Sequence, residues 1–404
     1  MAPPVRSATF VHLWSSPVVV RPSRTPPAGR RTVSHPRRLS FAVKSTSYSS
    51  GDFTLRARIG TLNADWDPTK NERTSGETEF GTDGNSQDEA GTTPQPTQAA
   101  ATLYLATCDV PRAGDGIPTG APVLLKEHNL KVATIPFATE ELAYERIASV
   151  GGGGGAVRYL GSFANGATKR VCVLCYPGGS RTLMTLASWP TLARNAAAIP
   201  GARWLELGRA ALGMRTDASL YTRSLVRQAI FALASLHAAG VQHGRIDAAC
   251  IGLSHTNVAD YGKLQVELLH LDGAIIAEID VGASLDDRTA ALPPALRAND
   301  ARELGLSLLA AVFAAFDPAG DDGAAAKSAE AVRRLAEGPF APTVLGGWRR
   351  PSADAPAPWD ELRSYIENEA RWERPAALLE ADDSKLWTQI GGLLHGEPDV
   401  RNLL

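Results

Sequence analysis

The sequence predicts an α+β domain in which a small β-rich part precedes a larger helical part, after an N-terminal region without folded structure. Three observations support this. The first residues are basic and free of acid, the next are polar, and strand-type alternation after residue 100 gives way to helical periodicity. With 404 residues, 44% of them hydrophobic, the chain is long enough to bury a sizeable core. We divide it into a leader (1–51), a linker (52–100) and a folded domain (101–404).

The leader has the composition of an organelle transit peptide. It contains no acidic residue, ten serines and eight basic residues, namely Arg6, Arg21, Arg24, Arg30, Arg31, Arg37, Arg38 and Lys44. Seven prolines in the same stretch disfavour the amphipathic helix of a mitochondrial presequence. We therefore expect import into a chloroplast, with the mitochondrion as the alternative and a basic disordered tail as the structural alternative.

Charge and hydropathy argue against two classes of partner. A formal net charge of −2 gives no overall basic field for nucleic acid. The longest apolar run, Leu304 to Phe316, is too short for a membrane span, so we expect none. Cys172 and Cys175 form a CxxC, but they lie in an apolar run without a second pair, which favours core thiols over a metal or redox site.

The linker from Asp52 to Ala100 is polar and rich in Gly, Thr and acidic residues, so we expect it to be disordered. Order is expected to begin near Thr102. Alternation then predicts strands at 102–107, 121–126, 156–163 and 170–176, the last two joined by an Asn165-Gly166 turn. A helix is expected from Ala138 to Val150, with Thr139 as its cap and the glycines 151–155 as its end.

Helices dominate the second part of the domain. Apolar residues at three- and four-residue spacing predict a helix from Tyr221 to Gly240, and Asp300 to Phe316 is apolar enough for a central buried helix. Two short strands are expected between them, at 250–253 and 263–269.

Three strings occur in an informative order: Val-Leu-Leu-Lys at 123–126, Ser-Leu-His-Ala-Ala-Gly-Val-Gln-His-Gly-Arg at 235–245, and Asn-Asp-Ala-Arg-Glu-Leu-Gly-Leu at 299–306. This set resembles the protein kinase-like superfamily, and is most similar to its degenerate members from plant and algal plastids. The resemblance implies a bilobal fold, with an N-lobe at about 101–179 and a C-lobe at about 180–404. It also implies that Asp300 braces the loop after His243 from a buried helix.

The resemblance assigns nucleotide contacts to four residues. Lys126 corresponds to the phosphate-binding Lys and is expected to pair with Glu145 on the following helix, with Glu141 as the competing partner. Tyr176 and Gly178 fall at the hinge that would hold the base. The resemblance therefore implies a site for ATP.

The residues that perform phosphoryl transfer in this family are replaced. Arg245 falls at the position of the catalytic base, and a guanidinium cannot accept a proton there. Asp247 replaces the phosphate-steadying Lys, and Cys250 replaces an Asn that binds Mg²⁺. Asp272 is the remaining candidate metal ligand, although its alignment to the family's Asp-Phe-Gly is loose. Arg401 is expected to lack the Glu that usually pairs with it.

We therefore interpret the chain as an organelle-targeted pseudokinase that acts by binding a protein partner and retains at most a Mg²⁺-independent ATP site. Two alternatives stay open. One is an atypical active kinase that phosphorylates Ser or Thr of a protein, with Asp247 as base and Asp272 on the metal. The other is an unrelated α/β chain with a structural role.

Overall fold

A computed structural model describes residues 48–63, 99–110, 116–150, 154–175, 184–189, 217–279, 282, 284–316, 363, 379–380 and 385–404. These residues form a mixed α+β structure, as the sequence predicts, with one five-stranded antiparallel sheet and several helices. Nearly all of the predicted leader and the hinge residues Tyr176 and Gly178 lie outside the described residues.

The sheet comprises β1 (Phe53–Asn63), β2 (Ala99–Cys108), β3 (Ala121–Asn129), β4 (Tyr159–Ala164) and β5 (Lys169–Cys175). Its strand order is β1-β2-β3-β5-β4, so β3 is central and β1 and β4 are the edges. β4 and β5 are consecutive and antiparallel, and they are connected through Asn165 and Gly166, where the turn is predicted.

β1 corrects the predicted extent of the linker. Residues 53–63 pair with β2, Phe53 lying opposite Cys108, whereas the polar composition of residues 52–100 predicts a disordered linker there. Phe53, Leu55, Ala57 and Ile59 alternate with polar residues, which is a strand-type pattern, although of these four only Phe53 is buried. The strand is stabilised at its start by Phe53, which packs on Phe163 with ring centroids 5.7 Å apart.

The helix after β3 begins earlier than predicted. α1 spans Leu130–Ser149, and its cap is Asn129, whose side chain accepts from the Lys131 N–H, instead of Thr139. Pro136 made an earlier start improbable from sequence, since proline disrupts a helix interior. The helix accommodates it through a kink: Ala133 has non-helical angles, so Pro136 falls in the first turn of the segment that follows.

β3 faces two different environments because its side chains alternate. Val123 and Leu125 point to an apolar cluster that includes Phe53 and Phe163. The opposite face carries Leu124, Lys126 and His128, all buried. That face is covered by α1, so any charged group on it must find its partner there.

The helical part contains α2 (Asp217–Ala238), α3 (Leu285–Ala290), α4 (Pro294–Phe316) and α5 (Lys385–His395). Two short antiparallel pairs lie between α2 and α3: β6 (Val241–Gln242) with β9 (Ile275–Ile276), and β7 (Ile251–Leu253) with β8 (Val266–Leu268). α2, α4 and α5 bury one continuous core, which includes Leu225, Leu308 and Trp387. Within the described ranges, no helix is both long and apolar enough to cross a membrane.

Candidate functional site

Lys126 lies at the centre of a buried charge cluster, which we define as Lys126, His128, Glu140 and Asp272. Its Nζ is 2.8 Å from Glu140 Oε2 and 3.2 Å from Asp272 Oδ1. His128 Nε2 is 2.9 Å from the same Glu140 oxygen. The side chains of Lys126 and Glu140 are 0% exposed, whereas that of Asp272 is 32% exposed. One solvent-accessible carboxylate therefore closes an otherwise buried cluster.

Three elements bring this cluster together. Lys126 and His128 are two residues apart on β3, so both project toward α1. Glu140 lies on the buried face of α1. Asp272 belongs to a short 3-10 helix, Leu271–Gly273, which packs against α1 from the helical part. The cluster thus joins the sheet to the segment before β9.

The electrostatics of the cluster favour charged partners. Burial by itself lowers the pKa of Lys126, but the negative charges of Asp272 and Glu140 outweigh it and raise the pKa well above its usual value. Burial likewise opposes ionisation of Glu140, yet Lys126 and His128 hold its pKa far below the usual range. The neighbouring His270 has a pKa of about 3, because it is buried and repelled by Lys126, so it is neutral at neutral pH.

The predicted pairing of Lys126 with Glu145 is wrong, and so is the alternative with Glu141. Glu141 Oε1 instead accepts hydrogen bonds from the hydroxyls of Tyr159 and Ser162, at 2.9 and 2.5 Å, on β4. Glu145 is one turn further along the same side, and its pKa is raised by partial burial and by the charge of Glu141. Helix register is the reason: Glu141 and Glu145 share a face that turns away from Lys126.

The sequence did carry a signal for Glu140. It lies three residues after Phe137 and four and seven residues before Tyr144 and Ile147, all of which are buried. A carboxylate on the apolar stripe of a helix must be paired, whereas one beside the stripe can be solvated. His128 could also have been found, as the residue two positions after Lys126 on the same strand face.

A second polar centre surrounds Asp300, which lies on α4 and is fully buried. Its Oδ2 accepts the His243 N–H at 2.8 Å, and its Oδ1 accepts the Gly244 N–H at 3.0 Å. His237 Nε2 lies 3.0 Å from Oδ2. The expectation that Asp300 braces the loop after His243 is therefore confirmed. We call residues 243–250 the anchored loop.

The anchored loop is fixed against the segment that carries Asp272. Gly244 has a φ of +79°, and a Cβ at this position would lie 2.3 Å from the carbonyl oxygen of Gly273. His243 is buried, and its Nε2 is 2.8 Å from the Leu269 carbonyl oxygen. Burial lowers the pKa of His243, so the ring is neutral and donates this bond from Nε2. A side chain at position 244 would force the two segments apart.

Arg245, Asp247 and Cys250, which the sequence singles out, lie in this loop. Arg245 is partly buried, which lowers its pKa, but a guanidinium remains protonated at neutral pH. Asp247 Oδ1 accepts the N–H groups of Ala249 and Cys250 at 2.7 and 3.0 Å, and its Oδ2 is shielded from solvent. Burial raises the pKa of the Cys250 thiol well above its usual value. Arg245 is a cation, both Asp247 oxygens are either hydrogen-bonded or shielded from solvent, and Cys250 is a buried thiol.

The metal chemistry of the site is limited. Asp272, the predicted metal ligand, directs Oδ1 at Lys126. Donor atoms of His128, Glu140 and Cys172 lie within 4.8 Å of one another, but Lys126 already supplies a cation to Glu140. Burial raises the pKa of Cys172 well above its usual value, so the sulfur is a thiol and a weak ligand. This donor set is a poor match for a divalent ion.

Arg401 corrects another expectation, since it is not without partners. Its Nη1 is 2.7 Å from Asp286 Oδ1, and its Nη2 and Nε contact Asp399 at 2.6 and 2.8 Å. Asp286 lies on α3, and Asp399 caps the short 3-10 helix Val400–Leu403. No protein-family model and no curated protein matches this chain.

Proposed function

We propose that the folded part of the chain, which begins with β1, forms a protein kinase-like module that transfers no phosphate and acts through contact with another protein. The observation that carries the proposal is the anchored loop: its backbone is held by Asp300 in the manner the resemblance implies, yet a guanidinium, Arg245, stands at the base position. Loss of a general base alone lowers a rate by about 10² to 10⁴. Loss of a metal ligand at Cys250 lowers it further.

The kinase-like part of the proposal is supported by four positions. A strand Lys, a helix Glu and a carboxylate near the loop converge at Lys126, Glu140 and Asp272. Asp300 holds the loop from a buried helix. A small antiparallel sheet with one helix precedes a helical part, which agrees with a bilobal arrangement. This support comes from where these residues lie in the fold. It holds although the helix partner of Lys126 is Glu140 and not Glu145.

The active alternative finds less support. It requires Asp247 to take a proton from a substrate hydroxyl, but one oxygen of this carboxylate accepts two backbone N–H groups and the other is shielded from solvent. It also requires Asp272 to bind a metal while neighbouring Lys126. The first would need the anchored loop to rearrange, and the second would need Asp272 to leave Lys126.

Nucleotide binding is expected to be weak. Lys126 is fully buried and already neutralised, so a phosphate can reach it only if Asp272 moves aside. We therefore expect any ATP affinity to be low and independent of Mg²⁺.

The acid-free leader supports import into an organelle, for which the chloroplast remains the proposal.

The test is a phosphotransfer assay and a calorimetric titration with ATP, each with and without Mg²⁺, on the full chain. We expect no label on the chain or on a generic basic substrate protein. A matched variant restores the family residues: Arg245→Asp, Asp247→Lys and Cys250→Asn together. Label that appears only in this variant supports the proposal. Label on the native chain that disappears in Asp247→Asn would establish the active alternative instead.

A further inference from the structure

A cavity of about 280 Å³ lies on the face of the five-stranded sheet that is opposite to α1. It shares no residue with the charge cluster or the anchored loop, so the proposed function leaves it unexplained. All five strands of the sheet contribute side chains to it. Its walls are Ser50, Phe53, Leu55, Tyr104, Leu125, Glu127, Phe163, Asn165, Lys169 and Val171.

The cavity is enclosed because the sheet curls. Neighbouring strands lie about 4.8 Å apart, so the edge strands β1 and β4 would be about 19 Å apart across a flat sheet of this order. Phe53 of β1 and Phe163 of β4 nevertheless stack with ring centroids 5.7 Å apart. The register of β1 against β2 shifts at three places, and such bulges bend a strand and increase its twist. Side chains of the two edges therefore meet over the face of the sheet.

Most of the cavity wall is apolar, and part of it is aromatic. Phe53, Leu125, Phe163 and Val171 are buried, and Tyr104 is half-buried. An apolar cavity of about 150 Å³ accommodates one benzene ring, so a cavity almost twice as large has space for two fused rings. Rings in a wall also attract an aromatic ligand beyond the effect of buried area. The apolar wall therefore favours a flat aromatic body.

One end of the cavity is polar. Glu127 Oε1 accepts from Lys169 Nζ at 2.7 Å, and Glu127 Oε2 accepts from Asn165 Nδ2 at 2.6 Å. Among the described residues that line the cavity, Glu127 and Lys169 are the only charged ones, and they balance each other. The ammonium has further N–H groups to donate, and each carboxylate oxygen has a second lone pair. A hydroxyl can use both groups at once, whereas a charged ligand would compete with the ion pair.

We propose that this cavity binds a small uncharged aromatic molecule that carries a hydroxyl group. The rings contact Phe53, Tyr104 and Phe163. The hydroxyl accepts a hydrogen bond from Lys169 and donates one to Glu127. Burial of the rings supplies most of the affinity, and the hydroxyl selects among ligands of similar size. The site is independent of the proposed function, because none of its residues takes part in that function.

The test is a fluorescence titration of three probes with the full chain: 2-naphthol, naphthalene and 2-naphthoate. All three have the same two fused rings, but only 2-naphthol combines a hydroxyl with zero charge at neutral pH. We expect 2-naphthol to bind most tightly, naphthalene less tightly because it lacks the hydroxyl, and 2-naphthoate weakest because its carboxylate competes with Glu127 for Lys169. Absence of 2-naphthol binding would overturn the site. Naphthalene affinity equal to that of 2-naphthol would overturn the role of the polar end, and tighter binding of 2-naphthoate would overturn the choice of an uncharged ligand.

A variant at the mouth of the cavity locates the binding. Leu55 lines the cavity and is 60% exposed, so Leu55→Glu should fold normally, which an unchanged unfolding midpoint without ligand verifies. It should weaken 2-naphthol binding about fivefold or more, because the rings lose apolar contact. Ile59→Glu is the matched control, since Ile59 is another exposed apolar residue of β1 but does not line the cavity. Unchanged affinity in Leu55→Glu would refute the site.

A second variant tests the polar end. Lys169 is exposed, so Lys169→Gln should also fold normally. We expect it to weaken 2-naphthol about fivefold, through a lost charge-assisted hydrogen bond, and to leave naphthalene affinity unchanged. A merely structural effect would weaken both probes equally, and that result would overturn the contact between Lys169 and the hydroxyl. Lys131→Gln, which changes an exposed lysine on α1, is the control and should bind both probes normally.

Discussion

Glu140 and Asp300 are two buried carboxylates with different partners. Glu140 contacts two side chains, the ammonium of Lys126 and the imidazole of His128. Asp300 accepts backbone N–H groups from His243 and Gly244 and contacts the His237 ring. The first holds charges together between the sheet and α1, whereas the second holds the shape of a loop.

The two carboxylates therefore constrain the residues around them in different ways. Backbone amides are the same whatever the side chains are, so Asp300 can hold the anchored loop independently of the side chains that the loop carries. Side-chain partners are specific, so Glu140 can do its work only opposite a cation. We therefore expect the stability of the fold to depend on both carboxylates, each through a different kind of partner.

The largest expected effect comes from breaking the Lys126–Glu140 pair. Lys126→Met leaves Glu140 buried with His128 alone, and we expect a loss of about 3 to 5 kcal/mol in the free energy of unfolding, measured with urea. The matched control is Lys169→Met. Its ion pair with Glu127, on the other face of the sheet, is 2.7 Å long; Lys169 is 48% exposed, and Glu127, 10% exposed, keeps its 2.6 Å hydrogen bond from Asn165 Nδ2. That variant should lose no more than about 1 kcal/mol.

A double variant sharpens the same test. Lys126→Met with Glu140→Leu replaces the pair by apolar groups, so we expect it to recover most of the loss of the single variant. If the double variant is as unstable as Lys126→Met, the loss comes from removing the ion pair itself and not from leaving the charge of Glu140 without a partner.

Asp300→Asn tests the other carboxylate. The variant loses the charge and turns one acceptor into a donor that faces N–H groups, so we expect a loss of about 2 to 3 kcal/mol in the free energy of unfolding. The amides of His243 and Gly244 should exchange faster with deuterium, whereas those in the centre of β3 should not. Asp286→Asn is the control, since that side chain is 81% exposed. Unchanged exchange at Gly244 would contradict the bracing role.

Sequence reasoning predicted these two regions with unequal success. Asp300 and the loop after His243 were found because they lie in contiguous strings. The partner of Lys126 was missed, since it depends on the rotation of α1 and hence on where that helix begins. Pro136 obscured that start, and only tertiary packing shows that it falls in a first turn after Ala133. β1 was not predicted because it lies in a segment of mostly polar composition. That composition outweighed the strand-type alternation of β1 itself.

Glu303 makes the stability of the Asp300 region depend on pH. It lies one turn after Asn299 on α4 and accepts the Ile246 N–H at 2.6 Å, and burial raises its pKa to about 7. The folded chain therefore binds this proton more tightly than the unfolded chain. Its contribution to stability is complete below about pH 4.5 and is lost as the pH rises through 7. Glu303→Gln should remove about 2 kcal/mol of the fall in unfolding free energy between pH 5 and pH 8.

Two comparisons decide whether this slope belongs to the loop. Glu267 also has a pKa of about 7 through burial, but it is on β8, so Glu267→Gln should reduce the slope without altering amide exchange at Ile246. Glu278→Gln, at an exposed position, should leave the slope unchanged. A slope that persists in Glu303→Gln would mean that the loop contact is made equally well by the charged carboxylate.

The smallest effect is expected at Arg401, whose ion pairs provide a partly exposed reference for the two buried carboxylates. Arg401 contacts Asp399 through two nitrogens, and Asp286 through a third, but Asp286 is largely solvated. Water and salt screen such charges, so Arg401→Gln should lower the unfolding free energy by less than about 1 kcal/mol, and added salt should shrink the difference. Lys263→Gln, in an exposed pair with Asp260, is the control. A loss as large as that of Lys126→Met, and insensitive to salt, would mean that Arg401 fixes α3 to the end of the chain as firmly as Glu140 fixes α1 to the sheet.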